Sequence, residues 1–205
     1  MIYQDTPGQG INGCIKKRCW IKYQLLFMWL FFFAVYLPFF ILMFVRHDIN
    51  TTSLSVIGWS AGGIPYLILY LVLTLPFCLY LIFFFNKHFI GGNKFVKGMS
   101  VISCAIIIIG ACFPVREAET ELVILIHTWL TVGGTIVLML TILFALILHA
   151  ISKRHKAVFL LLYGMYVAVL LITFHILYTA ALFQLAAAMS FFLILLLINT
   201  SSLLH

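Results

Sequence analysis

Charge is scarce in this sequence. Only 8% of its 205 residues are Asp, Glu, Lys or Arg, while 65% are hydrophobic. A soluble domain is about half apolar and about a quarter charged, so a water-exposed globule is excluded and lipid is the expected solvent. Acid is scarcer still, with five Asp and Glu against twelve Lys and Arg and a net charge of +7. The basic residues are scattered between long apolar runs, which argues for membrane orientation and against a nucleic-acid groove. Cysteine is sparse too. Cys78 and Cys104 lie inside apolar runs and read as small core residues, while Cys14 and Cys19 flank Lys16, Lys17 and Arg18 without the further ligands a metal would need. With Cys112 the count is five, and no pair falls in the outer loops, so no disulfide is expected. No short apolar core leads to a small-residue cleavage site, so no cleavable signal peptide is expected. Walker and H-E-x-x-H motifs are missing, which argues against P-loop nucleotide use and a zincin signature. Residues 22–114 and 120–200 do not repeat one another, against an inverted-repeat transporter.

What the chain has is long apolar runs. Six of them, 22–45, 63–85, 98–114, 120–149, 157–177 and 179–200, are long enough or nearly so to cross a bilayer. The hydrocarbon is about 30 Å thick and a helix rises about 1.5 Å per residue. Each run is hydrophobic all round, unlike a surface helix of a soluble core. The expected fold is therefore an all-α polytopic bundle of six transmembrane helices, with a basic segment at 1–21, a membrane domain at 22–200 and a short tail at 201–205. The third span is expected to start at Gly98.

Orientation follows from the loops. Lys16, Lys17, Arg18, Lys22, Lys87, Lys94, Lys97, Lys153, Arg154 and Lys156 fall on one side, and Arg46 and Arg116 on the other. The second side also carries Asp48, Glu117, Glu119 and Glu121. The positive-inside rule puts both termini in the cytoplasm and the acidic loops outside. The expected location is the cell membrane, multi-pass, and the expected partners are membrane lipids, with a protein partner in the membrane left open. Trp20 and Tyr23 beside the basic triplet suit anionic headgroups. Gly133, Gly134 and Ala186–Ala188 are expected to let helices approach closely, and Pro38, Pro65 and Pro76 to bend or start helices.

Three stretches also carry a resemblance. IGACFPV (109–115) followed by HTWLTVGGTIVLMLTILFALIL (127–148) resembles the G-x-F-P element and helix-borne His of the domain of unknown function 998 family, six-span bacterial membrane proteins. LSVIGWSAGGIPYLILYLVLTL (54–75) is similar to that family's small-residue approach to its second span. LFQLAAAMSFFLILLLI (182–198) is similar to its last span, with Gln184 at a polar position but Leu185 where an Arg often follows. The resemblance implies a bacterial plasma membrane and, through distant eukaryotic relatives of that family, a lipid-related role.

Ionisable groups at membrane depth are costly, so each is a candidate for function. His127 stands about two turns into the fourth span, His175 near the outer end of the fifth and Gln184 just inside the sixth. Asp48, Arg116 and Glu121 would lie above them, with Glu117 and Glu121 spaced i, i+4. These residues, His127, Arg116, His175, Gln184, Glu121 and Asp48, make up a candidate ligand pocket in the outer leaflet. Pro114 is expected to end the third span, Arg116 to fold toward Glu117, Glu121 or Asp48, and His127 to face the bundle. The plainer alternative is an acidic loop with His127 bonded to a backbone carbonyl. His149 and His155 are expected among headgroups, and His47, His88 and His205 in the open. No catalytic residue, metal or cofactor is assigned. A zinc site from His127, His175 and Glu121, or a haem between His127 and His175, lacks any supporting spacing. The favoured reading is a protein that binds a lipid or small amphiphile; the alternative is a membrane-embedded lipid hydrolase or transferase that uses His127.

Overall fold

The computed structural model describes residues 10–46, 54–60, 62–115, 120–152, 163–167 and 181–204. Among these the regular structure is helical, without strands. The first span is helix α1 (Gly10–Phe31), a π-helical segment (Phe32–Tyr36) and helix α2 (Leu37–Arg46). Short helix α3 (Leu54–Trp59) precedes α4 (Ile64–Phe89), α5 (Lys94–Ala111) and α6 (Glu121–Ser152), and α7 is Ala181–Leu204. Four stretches are long and apolar enough to cross a membrane, namely Cys19–Met43, Ile64–Phe89, Lys94–Ala111 and Glu121–Ala150, and a shorter apolar helix covers Leu185–Thr200. These helices mark a membrane protein. The expected fifth span, 157–177, lies mostly outside the described residues, of which 163–167 are helical.

Proline and capping residues explain several boundaries. Pro38 has no N–H for the carbonyl one helical turn back, so a regular ladder cannot run through it. The chain widens instead, and the Leu37 N–H reaches five residues back to the Phe32 carbonyl. Pro65 sits in the first turn of α4, where a missing N–H costs nothing, while Pro76 is accommodated within the same helix on an exposed face. The third span begins at Lys94 rather than at Gly98. Asn93 caps it, accepting from the Phe95 and Val96 N–H groups at 2.9 and 3.2 Å, and a satisfied cap outweighs the weak helix propensity of one glycine. At its other end α5 stops at Ala111, three residues before Pro114, as expected.

Helices in lipid gain little from hiding apolar surface, so close packing and interhelical hydrogen bonds hold them together. The closest pair is α5 and α6, which run antiparallel. A Cβ at Gly134 would lie 2.8 Å from Ile107 Cγ1 and 3.1 Å from the Ser103 carbonyl, and one at Gly110 would lie 2.9 Å from the Thr131 nitrogen. Gly133 points into open space, so of the expected glycine pair only Gly134 serves the contact. Elsewhere aromatic rings interlock: Phe192 meets Tyr36 and Phe77 edge-on with centroids 4.9 and 5.2 Å apart. Trp29 Nε1 donates to Thr200 Oγ1 at 3.1 Å, tying α1 to α7. Tyr163 and Tyr166 donate to the Met139 and Ala187 carbonyls at 3.1 and 2.6 Å, so this turn of helix bridges α6 and α7. Cys78 and Cys104 are buried, as expected of small core residues.

Two histidines depart from expectation. His149 is 2% exposed, with its ring edge-on to Phe85 and Phe89 and Nδ1 3.4 Å from the Phe89 carbonyl. It belongs to the core and not among headgroups, because α6 runs on to Ser152 and the last turn of α4 covers it. His88 is half-buried against Phe84, centroids 4.6 Å apart, rather than open.

Candidate functional site

At the opposite end of α6 from His149, the bundle opens into a cleft of about 360 Å³. Helix α4 lines it with Leu67, Tyr70, Leu71, Thr74, Leu75 and Cys78, spaced at three and four residues along one face. Helix α6 contributes His127, Thr131 and Thr135 at successive i+4 positions, together with Val132, Ile136, Leu138 and Met139. The helical rise makes the cleft about 16–18 Å long along these two faces. The walls are overwhelmingly apolar, and Ala187 and Ala188 leave room on the α7 side. The alanine run thus serves the void, beside any role in close approach.

The polar groups run from Ser55 and His127 near the start of α6 to Thr135 and Thr74 farther in. His127 is 6% exposed and faces the bundle, as expected. Its Nδ1 lies 3.1 Å from the Phe113 carbonyl and its Nε2 lies 2.9 Å from Ser55 Oγ. A carbonyl oxygen only accepts, so in the neutral ring Nδ1 carries the proton and Nε2 offers its lone pair to the Ser55 hydroxyl. The Phe113 carbonyl is available because α5 has ended two residues earlier and Pro114 takes no part in a continuing ladder. The plainer expectation for the ring, a bond to a backbone carbonyl, is met at Nδ1. A second partner, unforeseen, occupies Nε2.

Ser55 is brought there by the fold of α3 onto α4. Gly63 makes the turn possible, since a Cβ on it would collide with the Ile57 carbonyl. Ser60 closes the same turn by donating to Ile57 at 2.6 Å. The other hydroxyls of the cleft are satisfied locally. Thr131 donates to the His127 carbonyl at 2.7 Å and Thr135 to the Thr131 carbonyl at 2.8 Å. Deeper in, Thr74 Oγ1 donates to the Tyr36 hydroxyl at 3.5 Å.

The remaining expected site residues divide as follows. Glu121 is exposed in the first turn of α6, a favourable place for an acid against the helix dipole, and does not line the cleft. It stands six residues before His127, about 9 Å along the axis. Arg116, Asp48 and His175 lie outside the described residues. Gln184 falls within α7, one turn before Ala188. Among the described residues no three His, Cys, Asp or Glu side chains converge as metal ligands would.

The threonine stripe below His127 was open to reading as an i, i+4, i+8 pattern. Ser55 was not, because it is 72 residues away in sequence and on a separate short helix. No family model, curated protein or solved structure matches the chain.

Proposed function

We propose that the protein spans a cell membrane six times with both termini inside, and holds a single-chain, hydroxyl-bearing amphiphile in the cleft. The observation that carries this reading is an apolar cleft of about 360 Å³ with the hydrogen-bonded pair His127 and Ser55 at one end. Ligand sites run from about 300 to about 1,000 Å³, so this volume suits one acyl-type chain and is small for a two-chain lipid. A chain already dissolved in the bilayer gains little by moving into an apolar cleft, and selection must come from the polar end. Thr131 and Thr135 have spent their hydrogens on helix carbonyls, so their oxygens remain as acceptors. A head carrying hydroxyl or amine donors matches them. The positive-inside pattern supports an outer-leaflet position for this end, and the resemblance to the domain of unknown function 998 family supports a bacterial plasma membrane.

Two experiments test the reading. Mass spectrometry of lipids extracted from purified protein is expected to return one single-chain amphiphile per chain, lost in Ala188→Phe, which fills the cleft. A wild-type protein carrying none, or a variant that retains the same occupant, overturns it. For orientation, Glu119→Cys is expected to react with an impermeant thiol reagent from outside intact cells and Arg154→Cys only after permeabilisation. Equal labelling of both from one side overturns the topology.

A further inference from the structure

The bonds around His127 run in a fixed order: Ser55 Oγ to Nε2 at 2.9 Å, then Nδ1 to the Phe113 carbonyl at 3.1 Å. That is the order of a nucleophile, a base and a group that orients the base. We infer that Ser55 and His127 are an acyl-transfer pair, acting on a hydroxyl-bearing acyl ester whose chain lies in the cleft. The inference rests on the amphiphile reading of the same cleft and adds a reaction to it.

Other serines make the contrast. Ser60, Ser100, Ser103 and Ser190 each donate to a carbonyl three or four residues back in their own segment. Ser55 instead reaches a ring on another helix, 72 residues away. Here the carbonyl holds Nδ1–H, and this frees the Nε2 lone pair for a hydroxyl proton. Both side chains border the cleft, so an ester carbonyl can come within reach of Ser55 Oγ while its chain extends along Leu71, Leu75 and Ile136. The apolar walls limit water around the pair, which strengthens the polarisation of Oγ–H by the ring.

The chemistry balances with two co-reactants, the ester and water. Ser55 Oγ attacks the ester carbonyl carbon as its proton passes to Nε2, forming a tetrahedral adduct. The adduct collapses by breaking the bond to the alcohol oxygen, which takes the proton from Nε2 and leaves as the free alcohol. Ser55 then carries the acyl group as an ester. Water attacks that carbon with its proton going to Nε2, the Oγ–C bond breaks, and Oγ recovers the proton. The products are a carboxylic acid and an alcohol, with no change in oxidation state. A second alcohol in place of water makes the reaction a transfer.

The test uses the full chain in nanodiscs, a long-chain alkyl fluorophosphonate probe and peptide mapping. Ser55 is expected to be labelled. Ser55→Ala is expected to lose labelling and His127→Gln to slow it at least about 100-fold, the usual scale of a general base. Ser55→Cys is expected to restore acylation by a decanoyl ester, which a purely structural serine would not do. Binding of a photoreactive fatty alcohol is measured in parallel on wild type and Ser55→Ala. Alcohol bound in the cleft with no label on Ser55, or with label unaffected by His127→Gln, overturns the acyl-transfer inference and leaves the binding reading standing. No bound alcohol and no label removes both.

Discussion

Helix α6 buries one histidine at each end, and the two begin alike. His127 is 6% exposed and His149 2%, and each directs Nδ1 at a backbone carbonyl, Phe113 at 3.1 Å and Phe89 at 3.4 Å. The surroundings then diverge. His149 lies against the rings of Phe85 and Phe89, in a fully packed layer. His127 borders a cleft and has a serine hydroxyl on its second nitrogen. Residue type, burial and a first hydrogen bond are therefore shared between a core group and a candidate reactive group. What sets His127 apart is the empty space next to its ring.

The largest effect should come from emptying the packed end. His149→Ala removes a ring with contacts on several sides and leaves a void, and large-to-small changes of this kind cost about 3 kcal/mol. Unfolding in mixed detergent micelles is the measurement; a cost no greater than that of His127→Ala would erase the packed-versus-open distinction. A step smaller, Gly110→Ala should cost about 2 kcal/mol because the new methyl meets the backbone of α6, while Gly133→Ala should stay within about 0.5 kcal/mol. That pair asks whether the wall beside the open end is itself rigid. Equal responses would mean that α5 can slide along α6. Below Gly110→Ala comes the open end: His127→Ala loses two hydrogen bonds beside space that already exists, about 1 kcal/mol by the same measurement.

Much of the architecture was legible because the spans are long, uninterrupted and bounded by basic or proline-bearing loops. The inward face of His127 was legible for a physical reason: a polar ring in hydrocarbon costs too much. The start of α5 was misplaced because Gly98 was read as a boundary. The stronger signal was Gly91-Gly92-Asn93, two residues at φ +73° and +80° followed by an N-cap. Gly134 could have been separated from Gly133 by phase, since it stands seven residues after His127 on the same face. His149 was drawn toward the surface by the lysines and arginine that follow it, although membrane helices often run on beyond the last buried turn. Ser55 had no local signature at all. Its partner is set by how α3 folds back over α4, a contact across sequence that neither spacing nor hydropathy encodes.

The π-helical segment in the first span has a bearing on which changes of length this protein can tolerate. Buried residues on that span fall at Met28, Phe32, Tyr36, Phe39 and Met43, so the stripe keeps four-residue spacing save for one three-residue step just after the segment. The widened turn holds one residue more than a regular helix would need. Deleting a single residue there, for instance Ala34, would not shorten the span enough to matter for crossing the bilayer. The loss would instead be absorbed as the wide turn closes to a regular one, which keeps Phe39 and Met43 against Ile57 and Leu185, with which they form a separate small core. The same deletion in a regular turn of this span would rotate everything beyond it by about 100°. The segment is therefore the one place on this span where a residue can be lost without trading a buried stripe for a lipid-facing one.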